Sequence, residues 1–208
     1  MKLSLRTLSR KLSDVWKRWT TSKKTFEEKV QDTYKNLDRH LRAGDILFFL
    51  GKQDAKWYDK LLMFFSPLPV VHVGFVRKKK TRMLLHSTMK SYRTQRNGVH
   101  EVDLQQEIVQ RWPQATILVT RLKGDVTDFA KVFYKADQIK LEKIRYSFID
   151  AFCSLFQMGV DLDDHFNCWD FVNTCFEAHP YYKSVRNSGI PYNILRENSL
   201  ELIYIYKV

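Results

Sequence analysis

Cys168 stands where a loop runs into a helix. In His165-Phe166-Asn167-Cys168-Trp169-Asp170-Phe171-Val172-Asn173-Thr174-Cys175-Phe176-Glu177, Asp161, Asp163 and Asp164 lie upstream and apolar residues recur four apart downstream. That pattern places Cys168 in the first helical turn, where unpaired N–H groups and the positive end of the helix dipole favour thiolate over thiol. The same amides can help hold the oxyanion formed when a carbonyl is attacked. The competing reading is a small buried apolar residue, which is the better account of Cys153 and of Cys175, seven residues on along the same helical face.

A cysteine nucleophile needs an imidazole to take its proton and a polar group to orient that imidazole. Of the six histidines, His72 opens the apolar strand His72-Val73-Gly74-Phe75-Val76, an expensive place for an ionisable group unless it faces a site. His86 closes the next strand, so a simple hairpin makes the two imidazoles neighbours. A metal set of His165, Cys168, Cys175 and His179 is disfavoured, because zinc sites take close ligand pairs from tight loops and these residues lie mostly along one helix.

The elements that must position these groups read as α+β. Phe26 falls within a helical stretch from about Thr25 to Leu41. The turn Arg42-Ala43-Gly44-Asp45 then leads into the buried strand Ile46 to Leu50. After a short helix with Trp57, Tyr58, Leu61 and Leu62 come Pro67, Pro69 and a strand from Val70 to Val76. The basic run Arg77 to Arg82 reads as a solvated hairpin tip, followed by a strand from Met83 to His86. Asn97-Gly98 signals a turn before the alternating Val99-His100-Glu101-Val102. A polar helix from Asp103 to Gln110 and a strand from Ala115 to Leu122 follow. Helical spacing resumes through Phe129, Val132 and Phe133 and again through Phe148, Ala151, Phe152 and Leu155. Leu202 to Val208 alternates like a strand of unassigned place.

Chain length and charge bound the rest. The 208 residues suffice for one substantial core with an N-terminal appendage: a basic helical region over 1–41 and a catalytic domain over 42–208. Between Lys2 and Lys24, eight basic side chains face one acid, Asp14, so this segment supplies +7 of the net +12. Leu5, Leu8, Leu12, Val15, Trp16 and Trp19 form an apolar stripe with Arg6, Arg10, Lys17 and Arg18 largely between them. Such a helix over residues 3–19 either packs on the protein's own core or lies on an anionic membrane surface. The odd set of three cysteines without a charged-then-apolar leader points to free thiols in a reducing, cytoplasmic setting. No apolar run is long enough to span a bilayer. Nucleic acid fits the charge, but there is no RNP-type aromatic signature, zinc-finger spacing or helix-turn-helix.

The order Gly44-Asp45-Ile46-Leu47-Phe48-Phe49, His72-Val73-Gly74-Phe75-Val76, Leu84-Leu85-His86-Ser87, Asn97-Gly98-Val99 and Asn167-Cys168-Trp169-Asp170-Phe171-Val172 resembles the circularly permuted NlpC-type papain-like superfamily. That group includes YiiX-like bacterial proteins, poxviral relatives and the lecithin retinol acyltransferase family. Tyr146-Ser147-Phe148-Ile149-Asp150 resembles a helix start found there, and the likeness spans roughly Leu41 to Glu177. It implies a papain-like antiparallel sheet packed against helices, with the histidine strand ahead of the cysteine helix. It further implies Cys168 as nucleophile, His72 as general base and His86 as the orienting residue, with Glu101 in reserve for that third place. The expected chemistry is thiol hydrolysis or acyl transfer on an amide or ester carbonyl, with no cofactor and no metal. Candidate substrates are a lipid or acyl ester, which the amphipathic helix favours, or a cell-wall peptide amide. The remaining alternative is a catalytically silent lipid- or peptide-binding module.

Overall fold

The computed structural model describes residues 25–50, 70–88, 97–111, 115–124, 126–146, 166–182 and 199–207. The amphipathic stripe of 3–19, the short helix around Trp57, the helical spacing from Phe148 to Leu155, Cys153 and His165 lie outside them. The described elements are α1 (Phe26–His40), β1 (Ile46–Leu50), β2 (Val70–Lys78), β3 (Arg82–Thr88), β4 (Gly98–Asp103), α2 (Leu104–Arg111), β5 (Thr116–Leu122), α3 (Ala130–Leu141), α4 (Cys168–Phe176) and β6 (Leu200–Lys207). The class is α+β, as expected: one antiparallel sheet, ordered β4-β3-β2-β1-β5-β6, with helices on both faces.

Thr25 starts α1 with a capping box, its hydroxyl accepting the Glu28 N–H while the Glu28 carboxylate accepts the Thr25 N–H. Val30, Tyr34 and Leu37 then sit on one helical face and bury against Leu47, Phe49, Leu84, Ile117 and Val119, so this helix shares the sheet's core. The strands are apolar on both sides because both faces are covered. Ile46, Phe48, Val73, Phe75, Leu85 and Leu118 face α3 and α4, whereas Leu47, Phe49, Val76, Leu84, Ile117 and Val119 face α1 and α2. β6 takes the edge beside β5, in the register Thr116↔Lys207 to Leu122↔Leu200.

Two charged residues inside this layer are fully engaged. Asp45 is inaccessible to solvent; both its carboxylate oxygens accept from Arg121, at 2.7 and 2.8 Å, and Oδ2 also accepts the Arg42 N–H. Arg121 in turn donates to the His40 carbonyl, tying the end of α1 to β1 and β5. Arg77 departs from the expected solvated basic tip. It is buried, donates to both oxygens of Asp137 and to the Phe133 carbonyl, and lies 4.8 Å from the Phe133 ring centre. Its register explains this: as a member of β2 it points toward α3, and the chain turns to water from Lys78 onward. Gly44 has a φ of +83°, and a Cβ there would lie 2.3 Å from the Phe129 ring, so the turn into β1 takes only glycine.

Candidate active site

Cys168 is the first residue of α4, and its place is fixed from three directions. Asn167 caps the helix, its Oδ1 accepting the N–H groups of Trp169 and Asp170 at 2.9 Å each, while its Nδ2 donates to Asp170 Oδ2. Phe166 is anchored on both sides: its N–H donates to the Arg145 carbonyl, and its carbonyl accepts the Ser87 hydroxyl of β3 at 2.9 Å. Below the first turn, Phe171 and Phe176 pack on Phe75 of β2, with ring centres 5.5 and 5.2 Å apart. The thiol is therefore held against β2 and β3 by packing and hydrogen bonds.

The β2–β3 ladder runs from Lys78↔Arg82 to Phe75↔Leu85 and stops there. Farther along, β2 remains paired to β1 and β3 to β4, and side chains join the two strands. On one face Ser87 reaches the loop before α4. On the other, His72 Nε2 and His86 Nδ1 meet at 2.9 Å, both rings buried. Gly74 makes this contact possible, since a Cβ there would come within 3.0 Å of His86 Cβ and 2.8 Å of the Leu85 carbonyl.

The Val76 N–H donates to Asp45 of the β1 side, so alternation turns the Val73 N–H toward β3, where the ladder has ended. That N–H is the backbone group that most favours the charged form of the nearby Cys168 thiol. The structure thus brings His72 and His86 together and sets Cys168 beside the residue next to His72. Register separates them by face: His72 pairs with Phe49 on the α1–α2 side, and Cys168 belongs to the core on the α4 side with Val73.

The electrostatics oppose the expected easy thiolate. Burial pushes the Cys168 thiol up to about 11; the N–H groups of Val73, Cys168 and Trp169 pull the other way, and the Asp170 carboxylate adds to the rise. Desolvation outweighs the helix terminus because the thiol is enclosed by core residues. Asp170→Asn removes a negative charge two residues along the helix from Cys168, and its expected result is a lower Cys168 pKa and faster alkylation near neutral pH. Site-resolved mass spectrometry across pH checks this.

Glu101, the reserve candidate for the orienting place, lies on the opposite face of the sheet from His72 and His86. It pairs with Leu85 on the α3 side of the sheet, where its carboxylate accepts from Lys79 at 2.7 Å and lies near Arg77 and Lys140. His100, the residue before it, points to the histidine face instead. It sits directly opposite His86 in the β3–β4 register, with ring centres 4.4 Å apart and planes at 61°. Sequence reasoning passed over it, although the alternation that exposes Glu101 to one face commits His100 to the other. Cys175 and His179 are structural: burial raises the Cys175 thiol far above its usual range, and His179 stacks on Phe129, its Nε2 3.2 Å from the Asp128 carbonyl.

No protein-family model matches the chain, and no curated protein matches it. Among solved structures, it is similar to one described as metalloprotein YiiX from Escherichia coli O157:H7, with a TM-score of 0.53 at 12% identity. The fold is YiiX-like. The likeness covers 79% of this chain and 97% of the YiiX chain. At that identity it carries architecture and leaves the chemistry to the residues.

Proposed function

We propose that this chain is a thiol hydrolase or acyltransferase in which Cys168 attacks an amide or ester carbonyl, His72 takes the thiol proton and His86 orients His72. The observation that carries the reading is the convergence at the end of the β2–β3 ladder. There the cysteine of a capped helix terminus packs with Val73 of β2, the residue next to His72, and His72 Nε2 is held by a second imidazole at 2.9 Å. With Nε2 so engaged, Nδ1 is the nitrogen that serves as base.

The proton passes from Sγ to His72 across the end of the ladder as the S–C bond forms. His72 then protonates the leaving alcohol or amine, and water or an acceptor nucleophile releases the acyl group. The α4 amides and the Val73 N–H, which address the sulfur in the resting thiol, are suited to the oxyanion of the tetrahedral intermediate. Because the resting thiol is neutral, proton removal is concerted with attack.

Metal chemistry is not part of this proposal. Among the described residues no group of three or more His, Cys, Asp or Glu could hold a metal ion.

A lipid or acyl ester is the favoured substrate, on the strength of the basic, Trp-bearing stripe of residues 3–19 and its suitability for an anionic membrane surface. No helix among the described residues is long and apolar enough to cross a membrane. One observation favours a silent binding module instead, namely that the thiol is buried and addressed by a main-chain N–H. Incubation with activated acyl esters and peptide amides, read by intact mass and peptide mapping, separates the readings. The enzyme gives an acyl adduct on Cys168 with the ester series ahead of the amides. A binding module gives no adduct with either.

A further inference from the structure

His86 lies between two other imidazoles, and the second is as closely built in as the first. His72, His86 and His100 occupy β2, β3 and β4 on one face of the sheet, and all three are buried. His100 Nδ1 lies 2.9 Å from the Gly98 carbonyl, a pure acceptor, so Nδ1 carries a proton. Its Nε2, 3.4 Å from the Thr88 hydroxyl, is the acceptor in the neutral ring. Gly98 is itself fixed, with a φ of +91° and space for no Cβ, since one would lie 2.0 Å from the Ile144 carbonyl. The carbonyl that sets the His100 tautomer is thus held by a turn that only glycine makes.

The tautomer matters one ring away. If His86 Nδ1 carried the proton and donated to His72 Nε2, the neutral His72 would carry its own proton on Nδ1 and could not act as a base. The base role requires His72 Nε2–H to donate to His86 Nδ1, which puts the His86 proton on Nε2. An edge-to-face neighbour sets the tilt of the His86 ring.

We propose that His100 is a positioning residue of this site, its pinned ring holding His86 in the orientation and tautomer that accept the His72 Nε2 proton. This rests on the reading of His72 as base. The test uses the full chain and two volume-filling variants, His100→Phe, which keeps a ring against His86, and His100→Leu, which does not. Imidazole ¹⁵N spectra report the His86 tautomer, and alkylation of Cys168 at neutral pH reports the base. The expected result is a single Nε2–H tautomer of His86 in wild type and His100→Phe. In His100→Leu a mixture should appear, with Cys168 labelling slowed about tenfold, the scale on which outer partners of a functional imidazole act. An unchanged His86 spectrum in His100→Leu overturns the proposal, as does a mixture in His100→Phe. If His72→Ala leaves Cys168 labelling untouched, the base assignment fails instead, and the His86 spectrum still judges His100 separately.

Discussion

His72→Ala lowers Cys168-dependent acyl turnover by about 10²- to 10⁴-fold, the range over which a positioned general base acts, while Cys168→Ala abolishes the acyl adduct altogether. The expected loss is large because burial has raised the Cys168 thiol to about 11. Near neutral pH almost none of it ionises unaided, so attack depends on a base that takes the proton as the S–C bond forms. A kcat that falls with KM nearly unchanged marks the loss as one of proton transfer. His86→Ala should move the same parameter less far, since it removes the partner of Nε2 and leaves the base itself.

Arg121→Ala produces the largest change in stability, roughly 3–5 kcal/mol, the usual result of breaking a buried pair by removing one partner. Asp45 has no solvent exposure, and Arg121 supplies two of the three hydrogen bonds to its carboxylate while also holding the His40 carbonyl. The two partners are shifted in ways that look contradictory. Burial raises the Asp45 pKa despite the pairing, whereas the hydrogen bond from Asp45 raises that of Arg121 and favours its charge. The desolvation cost falls on the carboxylate, which is the more deeply enclosed group. A raised carboxyl pKa contributes stability that is fully present below the unfolded value and is lost as pH rises through the folded one. Without Arg121 the folded pKa rises further, so the deficit of the variant is greatest at neutral pH and narrows on acidification through the carboxylate range. Urea unfolding of both proteins at several pH values measures this, and a deficit independent of pH would contradict it.

The fold was largely legible because its signals are local. Ile46 to Leu50 and Val70 to Val76 are apolar runs too short for helices, and Asn97-Gly98 marks a turn. The nearness of His72 to His86 followed from the hairpin that joins their strands. What escaped depends on contacts distant in sequence. Arg77 opens a run of basic residues and reads as solvated until α3 brings Asp137 and Phe133 to it. The place of β6 is set by pairing with β5 across some eighty residues, and no local pattern encodes that. The direction of the Cys168 shift also lay out of reach, because a helix terminus is visible in sequence and the depth of its burial is not. The ion-pair partners of Glu101 have the same character, since Lys140 comes from α3.

Limiting iodoacetamide labelling of Cys168 from neutral pH to about 11, in wild type and His72→Ala with Cys175 as internal reference, tests the pairing of thiol and imidazole most directly. The proposed chemistry requires Cys168 to label ahead of Cys175 and to slow in the variant at neutral pH. The two proteins should then converge as the pH nears the thiol's own value of about 11, where no base is needed. Superimposable profiles for wild type and His72→Ala would contradict it and leave Cys168 a structural thiol.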